Sequence, residues 1–247
     1  MTRVQWPVAI DKNYYLLTYR IVESSEKTTL TINQLRGAVR EAGEAVRNVV
    51  WTGWSMFHQF TRPAIAPRVV VDTTGGEEIE ALETNLLGET HLEATIPDVW
   101  RITADGRASI WRPFREDRTV VPHLAANGLG PGTFLSPRIL IRELYELATH
   151  AKELAKAFPS VSTIQFHCSW VGLNGRKIAD LQPGVYWREY KCHVDRRTST
   201  AAVPLDSLTA DTASVVESLS APVLNLFDGL ELSRSWILNE LPKFRML

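Results

Sequence analysis

Residues 98–114, DVWRITADGRASIWRPF, alternate apolar and polar side chains on both sides of Asp105-Gly106. Alternation with a period of two is typical of a β-strand, and an Asp-Gly pair between two such runs is a strong hairpin signal. If these two residues form the turn, Trp100 lies opposite Trp111. The sequence therefore predicts a hairpin with one apolar face and one partly basic face.

Two longer segments repeat apolar residues with the period of an α-helix. Residues 31–50 begin with Thr31 and Gln34 at the spacing of a capping box and then place apolar residues on one face. Residues 136–158 begin with a Ser-Pro pair and carry apolar residues at alternating steps of three and four. We predict amphipathic helices over both segments and a helical C-terminal part from about residue 206.

The remaining apolar runs indicate the fold class. Residues 14–22, YYLLTYRIV, are aromatic and β-branched and predict a strand, and residues 161–171 and 185–194 predict two more. Because strands and helices do not alternate steadily, an α+β fold with mixed or antiparallel sheets is favoured over a doubly wound sheet. We expect one α+β domain over residues 1–247, with two subdomains divided near 120–135 as the alternative.

Composition limits the classes of function. The 247 residues are 45% hydrophobic and 22% charged, as in folded globular proteins. A net charge of −1 gives no overall field for nucleic acid or an anionic membrane, so such a contact requires a local basic patch. The chain has two cysteines, no secretory signal and no apolar run near the roughly 20 residues of a membrane span. We therefore expect a cytoplasmic protein that does not enter a membrane.

Residues 49–63, VVWTGWSMFHQFTRP, concentrate aromatic side chains and allow two interpretations. The favoured one is that most of these rings pack in the core, since exposed aromatic patches are uncommon on monomers. The functional alternative is an aromatic rim that stacks on a planar ligand or anchors a protein partner, with two polar contacts beside it. Its residues are Trp51, Trp54, Phe57, His58 and Arg62.

Arginines interleaved with tryptophans in and after the hairpin give a second candidate surface. Arg101, Arg112 and Arg115 could hold phosphates while neighbouring rings stack on bases. Acidic residues in the same stretch dilute this charge, so a solvated hairpin whose charges pair with one another is the favoured interpretation.

The pairs His167-Cys168 and Cys192-His193 suggest a metal site at first. Adjacent strand residues point to opposite faces, so two strands offer about two ligands to each side, whereas a structural zinc site uses four. Antiparallel pairing would place Cys168 opposite Cys192. Packing of free thiols is favoured, a metal site or redox pair is the alternative, and we expect no metal and no cofactor.

No catalytic motif stands out. The loop GLGPGTF at 128–134 precedes a helix but lacks the residues of a phosphate-binding loop, so a plain connection is favoured. The elbow pattern of hydrolases and paired metalloprotease histidines are both absent. An enzyme that processes phosphates or cuts nucleic acid would use some combination of His58, Arg62, Arg115, Asp117 and that loop.

Four segments together resemble one protein family: VWTGWSMF at 50–57, FTRP at 60–63, ALETNLL at 81–87 and DVWRITADGRASIWRPFRED at 98–117. They are similar to the region that follows the Schlafen AlbA-type domain in a group of bacterial proteins. The similarity runs from about residue 10 to 158, and its motifs are aromatic and structural, so no active-site residue is carried over. The AlbA-type domain itself does not occur in this sequence. The resemblance implies an accessory or sensing module beside an effector that acts on nucleic acid, in the same chain or as a separate partner.

The sequence favours a non-enzymatic accessory or sensor module. Such a module would recognise a ligand or a protein partner and regulate a nucleic-acid-acting effector. The enzyme described above is the first alternative. The second is a domain that binds nucleic acid directly through a continuous positive strip over Arg101, Arg112 and Arg115.

Overall fold

A computed structural model describes residues 13–49, 56–61, 63, 65–73, 78–85, 99–118, 120–180 and 190–245. The strands are Tyr14–Glu23 (β1), Arg68–Asp72 (β2), Ile79–Asn85 (β3), Val99–Thr103 (β4), Arg107–Pro113 (β5), Phe134–Leu135 (β6), Val161–Val171 (β7), Lys177–Ile178 (β8) and Arg196–Pro204 (β9). The α-helices are Ile32–Val49 (α1), Pro122–Ala125 (α2), Pro137–Ala155 (α3), Leu205–Ala210 (α4), Thr212–Leu224 (α5) and Arg234–Glu240 (α6), and 3-10 helices span Arg115–Asp117 and Leu241–Arg245. The predicted α+β fold, the two long helices and the helical C-terminal part are confirmed.

Seven strands form one sheet in the order β2-β3-β4-β5-β1-β7-β9, and every neighbouring pair is antiparallel. Strands β6 and β8 form a separate two-residue parallel pair. The first described strand, β1, therefore lies inside the large sheet, between β5 and β7. Strands β2 and β9 are its two edges.

Helices α1, α3, α4 and α5 contact strands of this sheet, and we call the face that they cover the inner face. Helix α3 contacts β1 and β7 and packs between α1 and α5. Side chains of β1 that point to the inner face are buried, and they are Tyr15, Leu17, Tyr19 and Ile21. The alternate residues of β1 point to the opposite, outer face and remain partly or fully exposed. None of the described helices is long and apolar enough to cross a membrane.

Both long helices begin with side-chain caps. The Thr31 backbone N–H donates to Gln34 Oε1 at 2.9 Å and the Gln34 N–H donates to Thr31 Oγ1 at 3.4 Å, which is the reciprocal arrangement of a capping box. Ser136 Oγ accepts from the Ile139 N–H at the start of α3. These caps satisfy backbone donors that have no partner within the helix.

The hairpin exists, but the predicted register is wrong by one residue. Its loop has three residues, 104–106, and Gly106 N–H donates to the Thr103 carbonyl at 3.0 Å with Gly106 in the left-handed region at φ +80°. Strand pairing consequently places Trp100 opposite Ile110, and Trp111 opposite Val99. After the two-residue loop, a three-residue loop with a left-handed glycine is the most common hairpin connection. The added loop residue shifts the register by one and so places Trp100 and Trp111 on opposite faces of the sheet.

The predicted pairing of residues 161–171 with 185–194 is also wrong. Strand β7 pairs with β9 instead, and Cys168 lies opposite Ser199. Cys192 forms an isolated bridge with Phe227, and both cysteines are free and buried. Residues 181–189 lie outside the described part of the chain. The expected alignment of the two cysteines therefore does not form, because β9, the strand that pairs with β7, begins only after Cys192.

We expect Gly106→Ala to destabilise the fold more than Gly175→Ala. Both glycines have positive φ, at +80° and +83°, so each substitution carries the left-handed cost of roughly 1 kcal/mol. A Cβ at Gly106 would also lie 3.0 Å from Ile21 and 3.1 Å from Phe158, whereas nothing lies within 4 Å at Gly175. Urea unfolding should show an additional loss of about 1–3 kcal/mol for the first variant. Equal losses in both variants would mean that the hairpin turn is not packed against β1.

Candidate functional site

The aromatic rim predicted from sequence is only partly within the described residues. Trp51, Trp54 and Arg62 lie outside them. Phe57 is 1% exposed, so at this position the expected binding ring is corrected to a core ring. The ring centroid of Phe57 lies 4.5 Å from that of His150, and the rings of Tyr19 and Trp100 also contact it. Burial of a ring among other rings explains this outcome, because it removes a large apolar area from water.

The three arginines proposed for a positive strip do not lie on one surface. Arg101 is on the outer face and contacts Glu83 and Asp72. Arg112 pairs with Tyr15, points to the inner face and is 6% exposed. Arg115 is exposed in the 3-10 helix that follows the hairpin. Successive strand residues point to opposite faces, and the hairpin register pairs Arg101 with Ser109. Arg101 and Arg112 therefore lie on opposite faces of the sheet and cannot form one strip.

Arg112 and Arg115 do meet around the beginning of α3. There they join a group that we call the α3 ionic cluster, whose members are Tyr15, Arg112, Arg115, Glu116, Arg142 and Glu143. The Tyr15 hydroxyl donates to Glu143 Oε1 at 2.5 Å. Glu116 Oε1 accepts from the Ser136 N–H at 2.8 Å and so fixes the 3-10 helix to the cap of α3. The charges of Arg142, Glu143 and Glu116 act on Arg115.

Two carboxyl groups of the cluster have raised pKa values. Burial raises the pKa of Glu143 to about 7, although the charges of Arg112 and Arg142 and the Tyr15 hydrogen bond act in the opposite direction. Burial also raises the pKa of Glu116, whose Oε2 has no hydrogen-bond partner among the described atoms. Carboxyls that hold a proton near neutral pH are suited to acid-base chemistry. Glu143 and Glu116 are only 5% and 1% exposed, however, so the described arrangement closes both from solvent.

Asp117 and His58, two other residues of the hypothetical enzyme site, do not belong to the α3 ionic cluster. Asp117 accepts two hydrogen bonds from Arg176, at 2.6 and 2.8 Å. Arg176 is fully buried, donates to the carbonyls of Phe134 and Gly172, and lies over an aromatic ring. Asp117 thereby anchors a buried arginine. His58 packs edge-on against Phe60 at 4.7 Å between ring centroids.

Sequence reasoning missed the polar side of α3. Glu143, Glu146 and His150 are all buried, and each precedes a leucine or alanine of the apolar stripe by one position. Glu146 Oε2 accepts from the Met56 N–H at 3.2 Å, and the Tyr19 hydroxyl lies 2.8 Å from His150 Nδ1. These three polar residues repeat at steps of three and four, as the apolar stripe beside them does. That shared spacing is the sequence signal that places them on a buried side of the helix. No group of three or more metal-ligating residues is placed to hold an ion within the described ranges.

The outer face of β1, β7 and β9 presents partly or fully exposed polar side chains. Its side chains alternate with the buried inner ones, and register places Thr18, His167 and Thr200 in one row and Leu16, Ser169 and Thr198 in the next. Ser169 Oγ lies 2.9 Å from Thr198 Oγ1. Arg20 and Arg196 are exposed at opposite ends of this surface. Between Tyr14 and Val22 on β1, and along the outer positions of β7 and β9, there is no acidic side chain.

We expect Glu143→Gln to change how stability depends on pH. The folded pKa of Glu143 is about 7 against an ordinary value of 4.5, so its stabilising contribution is complete below 4.5 and is lost as pH rises through 7. The free energy of unfolding of Glu143→Gln, relative to the native chain, should therefore rise by roughly 3 kcal/mol between pH 4.5 and 8. Urea unfolding at several pH values measures this, with Glu44→Gln on the exposed side of α1 as the control. A parallel pH dependence in the native chain and in Glu143→Gln would contradict the closed environment of Glu143.

We expect a coupling between Tyr19 and His150. Burial lowers the pKa of His150 to about 3 and raises that of Tyr19, so both groups are neutral and share one hydrogen bond between the Tyr19 hydroxyl and His150 Nδ1. Tyr19→Phe and His150→Phe should each lose about 1–3 kcal/mol, because each leaves a buried polar atom without its partner. The double variant should lose less than the two single losses added together, as measured by urea unfolding. Simple additivity would show that the two groups do not interact.

Comparison with known proteins gives no family or relative for this chain. No protein-family model, no curated protein and no solved structure matches it. The resemblance to the region after the Schlafen AlbA-type domain therefore stays a prediction from sequence. The function has to be argued from the geometry of the described residues.

Proposed function

We propose that this protein is a non-enzymatic recognition module of the cytoplasm that regulates an effector acting on nucleic acid. It binds its partner through the outer face of β1, β7 and β9. The observation that carries the proposal is the contrast between the two faces of the sheet. The inner face encloses the ionisable groups with shifted pKa values in Glu143 and His150, whereas the outer face presents polar side chains to solvent.

The charge of the outer face defines the partner surface that fits it. Arg20 and Arg196 supply positive charge, and hydroxyl groups between them supply hydrogen-bond donors and acceptors. Partial burial lowers the pKa of His167, so its imidazole is neutral at neutral pH and adds no charge. A partner surface with carboxylates or other anionic groups complements this face, and such complementarity favours both fast association and specificity.

The closed α3 ionic cluster supports a module without catalysis. A catalytic carboxyl has to reach substrate atoms at hydrogen-bond distance. Glu143 and Glu116 instead contact Tyr15 and the Ser136 backbone, and both are almost fully buried. Their contacts hold α3 against β1 and against the 3-10 helix. The enzyme alternative loses a further member because Asp117 is engaged by Arg176.

Direct binding of nucleic acid is the second candidate, now on a different surface. The strip over Arg101, Arg112 and Arg115 does not form, but the outer face of β1, β7 and β9 carries the exposed Arg20 and Arg196. At one end of this face the partly exposed ring of Tyr14 packs against the buried ring of Trp111 on β5, with centroids 5.9 Å apart. Arginines that hold phosphates and aromatic rings near a sheet face are the elements that single-strand binders use.

The double variant Arg20→Glu/Arg196→Glu tests the outer face. We expect it to bind a purified Schlafen AlbA-type domain at least tenfold more weakly than the native chain in calorimetric titration, because two attractive contacts become repulsive. The control is Arg36→Glu/Arg40→Glu, which makes the same charge change on the exposed side of α1. The control should bind like the native chain.

Three results separate the candidates. Binding that is weakened equally by both double variants would exclude the outer face as the partner surface. Salt-sensitive binding of a labelled single-stranded RNA, lost only in Arg20→Glu/Arg196→Glu, would favour the nucleic-acid candidate. Hydrolysis of nucleotides or RNA by the purified chain, abolished by Glu143→Gln or Glu116→Gln, would overturn a non-enzymatic role.

A further inference from the structure

Strand β2 is an edge of the large sheet and pairs only with β3 among the described residues. An edge strand presents half of its backbone N–H and C=O groups outward, which makes it a template for another strand. Natural edges are commonly protected by inward charges, prolines or bulges. Within Arg68–Asp72 only the two end residues are charged, and the three between them are valines.

Two of these valines are unusually exposed. Val69 is 45% exposed and Val71 is 57% exposed, and alternation places both on the inner side of the sheet. Helix α1 contacts the neighbouring β3. Both valines thus combine exposed apolar area with an edge backbone, and β-branched side chains favour strand pairing.

The sequence of β2, Arg-Val-Val-Val-Asp, is complementary to itself in the antiparallel direction. If two copies pair about a twofold axis at Val70, Arg68 of each lies opposite Asp72 of the other. Val69 of each then lies opposite Val71 of the other. A parallel arrangement in the same overlap would place like charges together, which is unfavourable for directly opposed strand residues.

The two end charges of β2 differ in exposure. Arg68 is exposed on the outer face. Asp72 is already held in place by Arg101 and Arg107, at 3.6 and 3.5 Å, and these are long ion pairs. Asp72 is only 5% exposed, so the guanidinium of the second copy approaches a carboxylate that is already engaged, and the exposed valines and the edge backbone carry most of the pairing. Glu83, the neighbour of Arg68 on β3, adds negative charge to the same side.

We propose that β2 is a homodimerisation strand: two copies of this chain pair β2 with β2 antiparallel, in the register centred on Val70, and join their sheets. This surface is separate from the outer face of β1, β7 and β9, since β2 and β9 are opposite edges of the sheet. A five-residue strand gives a small interface, so the dimer is weak and its population rises with protein concentration.

Paired charge variants test both the dimer and its register. Val69→Lys/Val71→Lys places like charges opposite each other across the twofold axis, whereas Val69→Lys/Val71→Glu places opposite charges there. In sedimentation equilibrium of the full chain, we expect the first variant to raise the dimer dissociation constant at least tenfold. The second should dimerise like the native chain at low salt and more weakly at high salt, because its cross-strand pairs are ionic.

A cysteine on the twofold axis gives an independent measurement. Val70→Cys should form a disulfide-linked dimer under mild oxidation, because each new thiol lies opposite its own copy. Val194→Cys is the control, since Val194 is 45% exposed elsewhere in the chain, and the native Cys168 and Cys192 are buried. A native chain that stays monomeric at several hundred micromolar, equal dimerisation of the two charge variants, or linkage of Val70→Cys no faster than the control would each overturn the proposal.

Discussion

Burial of the polar side of α3 against β1 is the constraint that the rest of the structure has to satisfy. Glu143 and His150 cannot lie in an apolar interior without hydrogen-bond partners. Tyr15 and Tyr19, two inner residues of β1, supply the hydroxyl groups. These pairs fix how far α3 is shifted along β1. The position of α3 then determines where α1 and α5 pack beside it.

Because of this constraint, the two faces of the sheet have different roles. Glu143 and His150, whose pKa values are strongly shifted, hold the inner layer together and are closed from solvent. The opposite side of the same strands has no such task, and beside a few apolar residues such as Tyr14 and Leu16 it carries hydroxyl groups, an imidazole and guanidinium groups. One sheet thus combines a rigid scaffold with an open surface whose composition is free to suit a partner.

The parts of the fold that depend on local periodicity were predictable, whereas the parts that depend on partners distant in sequence were not. Thr31 and Gln34 identify the start of α1, and the leucines of α3 identify its buried stripe. The hairpin was found, but its register depended on whether Gly106 ends a two- or a three-residue loop, which local sequence leaves open. Glu143 was missed because a glutamate beside an apolar stripe usually faces water, and its burial depends on Tyr15, which lies 128 residues away.

The central place of β1 has a consequence for how the chain reaches its native state. Strand β1 precedes both of its neighbours in the chain, and its second edge is covered only when β7 pairs with it after β5. Contacts between residues so distant in sequence slow folding, because loop closure costs entropy before those contacts form. During synthesis the second edge of β1 therefore stays uncovered until β7 has left the ribosome, and an uncovered strand edge is prone to pair with other chains.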